Sequence, residues 1–361
     1  MTTFIFNSKT PKKGGSFMSQ DINKKVSHGK ESTGITIRKD GTEEVFVAGS
    51  TPVWHRVGQR TSGAVTSDGA LKLAGLDWQV KGCPLFTSIE GIRHEVVDHK
   101  AIVRQDTKDV LGVVGKRYRP VQNAAAFGWL DELLGRRLAA YESAGSVRNG
   151  ALVWALVRLP GEMRIHGADD VVRPYILVCN SHDGSVAFRA LQTVIRVVCA
   201  NSLTMAIRNA GPNSVVARHT RGFQNRLEDA QAVLGIAVQQ HRQFEVQMNT
   251  LAQYRMTTKR FANYLDAVLG PPVENSPPEN KAARLGITAN FDHEFQRIKG
   301  IEHSAWAAVN AVSQYVDWER PSRGKSQVER DERRLSSTFV GQGAELKRKA
   351  WITALTLIGA N

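Results

Sequence analysis

Residues 111–123 read LGVVGKRYRPVQN, 141–161 YESAGSVRNGALVWALVRLPG, 173–185 RPYILVCNSHDGS and 187–201 AFRALQTVIRVVCAN. Apolar runs rich in β-branched residues alternate with turn residues, as in strands joined by short connections. Asn149-Gly150 predicts a hairpin turn, because both residues tolerate the positive φ that such a turn demands. The following run, Ala151 to Pro160, is too uniformly apolar for a solvated face and is expected in the middle of a sheet. Between the first two pieces Phe127, Leu130, Leu133 and Leu134 recur at helical spacing, with Asn123 as the expected N-cap and Gly135 as the stop. Strands and a helix in one stretch predict an α+β fold: a curved, mainly antiparallel sheet over about residues 46–220 with helices packed on it.

Working outward, residues 1–45 are rich in Lys, Ser, Gly and Thr and poor in apolar groups, and are expected to form a disordered basic arm. Met18 is a candidate alternative start. VFVAG from Val45 predicts a short strand, and SDGALKLAG from Ser67 a short helix stopped by Gly75 with Asp68 near its cap. Pro84 marks an edge strand or a bulge. Asp106 to Asp109 is the expected turn between strands at Ile102-Val103 and Val110–Val114. Met163 to Asn180 predicts two short strands about a Gly-Ala-Asp-Asp turn. Residues 186–207 fit a strand followed by a helix, although periodicity alone does not arbitrate.

Beyond Arg221 the pattern becomes helical. Leu227, Leu234, Val238, Phe244, Met248 and Leu251 fall on one stripe of a long amphipathic helix. Further helices are expected over Thr258–Leu269, Ser304–Trp318 and 343–358, with a Pro-rich loop near 271–290 and a charged solvated loop at 320–334. Residues 221–361 thus form a helical C-terminal region.

Composition restricts function more than it restricts fold. Lys and Arg number 48 against 34 Asp and Glu in 361 residues, a net charge of +14 that attracts polyanions, nucleic acid first among them. No apolar run approaches the ~18 residues that span a bilayer. The first apolar residues precede the basic ones, the reverse of a secretory signal. Cys83, Cys179 and Cys199 lie far apart in apolar runs, as buried reduced thiols do, so a cytoplasmic location is expected. There is no Walker loop, HExxH, GxSxG or CxxC, and Gly145 to Gly150 lacks the Gly-Lys-Ser/Thr ending of a phosphate loop. No catalytic residue, metal site or cofactor is therefore assigned.

Candidate contacts with a polyanion sit at strand ends. Lys116, Arg117 and Arg119 bracket Tyr118, a spacing in which charge holds phosphates and the ring offers a platform for an unpaired base. The competing reading is a solvated strand end with Tyr118 packed on the core. Arg148 adds a cation at the hairpin turn. Asn180, Ser181, His182, Asp183 and Ser185 form a polar cluster that suits a tight turn, a ligand-contacting loop, or a metal or general-base site. The last is the least supported, because neighbours on a strand point to opposite faces and no second ligand stands at a recognisable spacing. Arg189 and Arg196 share a face only if their segment is a helix. Arg218, His219 and Arg221, with Thr220, form a further group suited to phosphate, or a charged turn.

Several of these pieces carry a resemblance. GKRYRPVQN (115–123), YESAGSVRNG (141–150), NSHDGS (180–185) and VIRVVCANSL (194–203), in this order, are similar to the phage/plasmid-like protein family, defined by a domain of unknown function. PVWHRVGQR near Trp54, GLDW at Trp78, ARHTRGF near His219 and WAAVNAVSQYVDWER from Trp306 extend the likeness from about residue 45 to the C-terminus. The resemblance implies an origin on phages, prophages or conjugative plasmids and supplies no mechanism. With the basic balance and the strand-end cations, the expected function is DNA binding, on single strands, in recombination, annealing or protection. Two alternatives stand beside it: a metal-dependent nuclease or other hydrolase using His182 and Asp183, and an oligomeric regulatory protein assembled through the long helix.

Overall fold

Why the apolar runs form two sheets rather than one is visible in their pairing. The computed structural model describes residues 35–38, 40–48, 59–61, 66–131, 140–196, 202–204, 214–220, 242–273, 277–297 and 299–359. In chain order these hold β1 (Val45–Ala48), β2 (Gln59–Thr61), α1 (Ser67–Ala74), β3 (Val80–Ile89), β4 (Ile92–Arg104), β5 (Val110–Gly115) and α2 (Asn123–Gly128). Next come β6 (Ala140–Val147), β7 (Leu152–Arg158), β8 (Met163–Arg164), β9 (Val171–Ser181), β10 (Phe188–Arg196), β11 (Ser202–Thr204) and β12 (Ser214–Ala217). β3, β4 and β5 form a separate antiparallel meander, with a bulge between Pro84 and Phe86 on its edge strand. The other strands form one sheet in the order β11-β10-β9-β7-β6-β1-β2, with β12 on β10 and β8 on β9; only β1 and β2 pair in parallel. The fold is α+β as expected, with two sheets where one was expected.

β7 is the central strand of that order, in keeping with its uniform apolarity. Alternation along it and β9 serves two interfaces. Trp154, Leu156, Tyr175, Leu177 and Cys179 face a helix that contributes Leu335 and Phe339. Val153, Ala155, Val157, Ile176 and Val178 face α1, α2 and the meander, through Leu71, Phe127, Ile102 and Val114. The large sheet is therefore covered on both faces. The β6–β7 hairpin turns at Arg148-Asn149-Gly150, all three at positive φ (56°, 56° and 92°).

The C-terminal region is helical: α3 (residues 242–253), α4 (Thr258–Leu269), α5 (Pro278–Arg297), α6 (Ala305–Gln314), α7 (Gln327–Val340) and α8 (Gln342–Leu357). Thr257 and Ser304 cap α4 and α6 by accepting from Arg260 N and Ala307 N at 3.2 and 3.1 Å. Phe244, Met248, Tyr264, Trp306 and Trp351 form its core, which reaches Val172 and Val194 of the large sheet. Trp306 Nε1 donates to buried Asp170 Oδ2 at 2.9 Å and ties α6 to the turn before β9. Among the described residues no helix is long and apolar enough to cross a membrane.

Five expectations need correction. Residues 35–45, read as part of the arm, pack on the large sheet: Thr36 N donates to Ser146 O at 2.9 Å, and Ile35 and Glu44 are buried. Asn123 does not cap α2; its amide is spent on partners distant in sequence, and Gln122 at the cap position makes no side-chain bond. Residues 202–204 are strand. The Pro-rich loop is shorter than 271–290, because Pro278 opens α5, where a missing N–H costs nothing. Most of the charged stretch after 326 is α7, started by Ser326 Oγ accepting from Glu329 N at 3.2 Å. The Gly135 stop and residues 221–241 of the long helix lie outside the described residues, as does Cys199.

Candidate nucleic-acid interface

Strand alternation divides the expected site residues into a buried group and a rim. Asn180 pairs with Val153 across β9 and β7 and shares its face, toward α2 and the meander. Asn180 is fully buried; its Nδ2 donates to Val121 O at 3.0 Å, and its Oδ1 lies 2.7 Å from His219 Nε2. His182 is also fully buried, with Nε2 2.9 Å from Asn123 Oδ1 and its N–H donating to Ala151 O at 2.7 Å. Asn123 Nδ2 donates to Leu76 O at 2.9 Å, which leaves its Oδ1 to accept and makes His182 the Nε2–H tautomer. By the same reasoning His219 donates from Nε2 to Asn180.

This seam continues inward to charge. His182 meets the Trp78 ring edge-on at 5.4 Å, Arg104 lies over the other reach of Trp78 at 4.3 Å, and Arg104 Nη2 donates to buried Glu44 Oε1 at 2.5 Å. Burial, with the neighbouring His219 second, holds the His182 pKa down to about 3; burial likewise holds His219 at about 4. Both imidazoles are therefore neutral near pH 7. A neutral, enclosed imidazole neither attracts phosphate nor reaches it, so Asn180 and His182 are corrected from contact residues to supports, while neutral His219 borders a groove with its Nε2–H already spent on Asn180. A Cβ on Gly112 of β5 would lie 2.5 Å from Asp183 Cα, so glycine there admits the meander against the β9–β10 turn.

That turn follows the bland expectation. Ser185 N donates to Asp183 Oδ1 at 2.9 Å, and Gly184 has φ 75°. The Asp183 carboxylate faces Arg148 Nη1 at 3.1 Å, and Arg148 Nη2 donates to Ser185 Oγ at 3.1 Å, so Arg148 clamps two turns together. Its charge is matched within the protein, which corrects its role too. His182 and Asp183 thus point to different partners, against the paired use a hydrolase reading asked of them. Among the described residues no group of three or more His, Cys, Asp or Glu is placed to hold a metal. Arg189 pairs with Cys179 across the strands, which puts it on the opposite face toward α7, half-buried. Its segment is strand up to Arg196, so the helical arrangement that would join the two arginines is not formed; the Arg196 side chain and all of Arg221 lie outside the described residues.

The rim is what remains in solvent. Lys116, Arg117, Arg119 and Arg218 are exposed around half-buried Tyr118. Tyr118 stacks on His219 with ring centres 4.8 Å apart and donates its hydroxyl to Ser181 O at 2.7 Å; burial raises its pKa. Arg119 N donates to His219 O at 2.8 Å, which joins the two basic segments that are far apart in sequence. Lys116 Nζ pairs with exposed Asp98 at 2.7 Å, whereas Arg117, Arg119 and Arg218 have no carboxylate in ion-pairing reach among the described residues. Two open grooves meet at this point. One of about 490 Å³ is lined by Asp98, Gly115, Lys116, Arg117 and Tyr118. The other, of about 270 Å³, includes Arg117, Tyr118, Gly184, Arg218 and His219.

Sequence reasoning passed over Lys100, whose ammonium donates to Lys116 O at 3.3 Å and whose pKa burial and nearby Arg119 lower. It also passed over Trp78, Arg104 and Glu44, which carry no local motif. Gly112 inside a strand was the available signal, since glycine there marks close backbone approach.

No curated protein and no solved structure matches the chain. A family model described as a domain of unknown function, DUF932, matches residues 110–339, from the first residue of β5 nearly to the end of α7. The match takes in the rim, the Asn123–His182 and Asn180–His219 pairs behind it and the helix on the opposite face, and by covering well over half of the sequence it shows that the chain belongs to the DUF932 family.

Proposed function

We propose that this protein binds single-stranded DNA in the cytoplasm along the two grooves that meet at Arg117 and Tyr118, as a recombination, annealing or protection factor of a phage, prophage or plasmid. The observation that carries the reading is the rim: three exposed arginines without carboxylate partners among the described residues, drawn from two distant segments, beside an aromatic ring lining both grooves. Guanidinium groups hold phosphates through charge-assisted hydrogen bonds, and an aromatic edge at the groove junction suits an unstacked base. The buried Asn180–His219 and Asn123–His182 pairs support this by tying the turns that carry Tyr118 and the rim to the large sheet. A net charge of +14 steers the chain toward any polyanion, and an aromatic ring between cations favours a strand with unpaired bases.

Fluorescence anisotropy of the full chain with labelled single- and double-stranded oligonucleotides, across a salt series with and without magnesium, tests this. Preferential single-strand binding that weakens with salt is expected, with the oligonucleotide intact. Arg117→Ala combined with Arg218→Ala should flatten the log–log salt slope by roughly 0.7 per lost contact. Absence of binding at low salt would sink the reading, and cleavage confined to magnesium-containing samples would replace it with a hydrolase. Light scattering of the same samples tests the accompanying proposal of a homo-oligomer, which a clean monomer would remove.

A further inference from the structure

A second cleft lies away from the rim, among the C-terminal helices. It encloses about 780 Å³, within the range of small-molecule sites and far more than a bare phosphate fills. Its shape begins with the end of α6. There the chain makes a π turn, Tyr315–Glu319, closed by Arg320 N donating to Tyr315 O at 2.7 Å. Such wide turns are rare and recur at functional sites, because the extra residue redirects the side chains that follow. This one is held by a buried ion pair beneath it, Lys347 Nζ to Asp317 Oδ1 at 2.6 Å, with neither side chain more than 1% exposed.

The turn delivers Arg320 into the cleft. One guanidinium nitrogen, Nη2, donates to Gln342 Oε1 at 3.2 Å, while Nη1 is buried and has no hydrogen-bond partner among the described residues. A buried cationic donor left unmade is costly, and an incoming oxyanion relieves it. Arg333 and Lys349 line the same cleft, and neither is paired among the described residues; Arg334 is held by Asp331 at 3.2 Å and Arg323 by Glu279 at 3.3 Å. The apolar wall is made by Val268, Leu269, Ala283 and Leu346 beside the Tyr315 ring, and the two lining carboxylates, Glu279 and Glu345, are held by Arg323 and Arg348. Unmatched cations and apolar surface in one cleft fit a ligand with a negative end and a flat, weakly polar body.

We propose that this cleft is a binding site for a nucleoside phosphate, with Arg320, Arg333 and Lys349 on the phosphate and the apolar wall against the base. The site is separate from the rim and does not depend on the DNA reading. Isothermal titration of the full chain with AMP, ADP and ATP, and with adenosine and inorganic phosphate as the two halves of the ligand, is the test. The nucleotides should bind, adenosine should not, and inorganic phosphate should bind more weakly than AMP. Arg320→Gln should weaken AMP roughly tenfold, the loss of about one charge-assisted hydrogen bond. The exposed pair Arg333→Gln with Lys349→Gln should weaken ATP at least as much, and does not depend on how well the buried variant folds. No heat with any nucleotide, adenosine binding equal to AMP, phosphate binding equal to AMP, or affinities indifferent to both sets of substitutions would each overturn the proposal.

Discussion

Cys179 and Asn180 are consecutive residues of β9, both fully buried, and they belong to different kinds of interface. Cys179 lies with Trp154 against Leu335 and Phe339 of α7, where contact is apolar and any well-shaped hydrophobic surface suffices. Asn180 lies in a seam of amides and imidazoles, where each donor needs its own acceptor. The difference shows that one strand can be secured on one face by area and on the other by pairing. The first mechanism responds to volume, the second to protonation and to the loss of single atoms.

Substitutions on the two faces should therefore fail differently. Trp154→Ala on the apolar face is expected to be the most damaging, lowering stability by about 3–5 kcal/mol with an unchanged urea m-value. A cost below about 1 kcal/mol would mean that α7 does not cover that face. The polar face should instead be exposed by acid. Folded His182 and His219 titrate at about 3 and about 4, below the ordinary 6.5, so between these limits the unfolded chain binds more protons. Their stabilisation is complete above about pH 6.5 and is lost as pH falls toward 4 and then 3, with a combined loss of roughly 2 kcal/mol between pH 6 and pH 5. Urea midpoints across that window measure it, and His182→Gln with His219→Gln should flatten the curve. An equally steep curve in the double variant would move the acid sensitivity elsewhere.

Asn180→Leu separates the two mechanisms at one position. It keeps the branched shape and the number of side-chain heavy atoms but strands the His219 Nε2–H and the Val121 carbonyl, and should cost about 1–3 kcal/mol. A neutral outcome would reduce the seam to ordinary packing. Smallest of all is Lys116→Ala: its pair with Asp98 is solvent-exposed on both sides, so the urea midpoint should not move while the DNA salt slope does.

Much of this architecture was legible because it is encoded locally. Thr257 and Ser304 announce their helices, Gly75 ends α1 in the left-handed region at φ 65°, and Asn149-Gly150 turns its hairpin. α7 was missed although Ser326 and Glu329 stand at capping distance, because Leu335 and Phe339 are sparse apolar points in a charged stretch. α5 was missed because two prolines were read as a loop rather than a first turn. The candidate site was half legible. Lys116, Arg117, Arg119 and Arg218 stand in solvent as their charge suggests, whereas Asn180, His182 and His219 were read as contact residues because they are polar.

Residues a few positions apart were enough to show most of the element types, the hairpin, the central strand and the basic rim residues, but not the helices α5 and α7. Only the tertiary structure decided that the strands divide into two sheets, that Arg218 joins Arg117, and that three polar residues turn inward. Those outcomes rest on hydrogen bonds between residues 39 and 59 positions apart, Asn180 with His219 and Asn123 with His182. A buried polar group is stable only when its partner is in place, and no local pattern records where that partner will be.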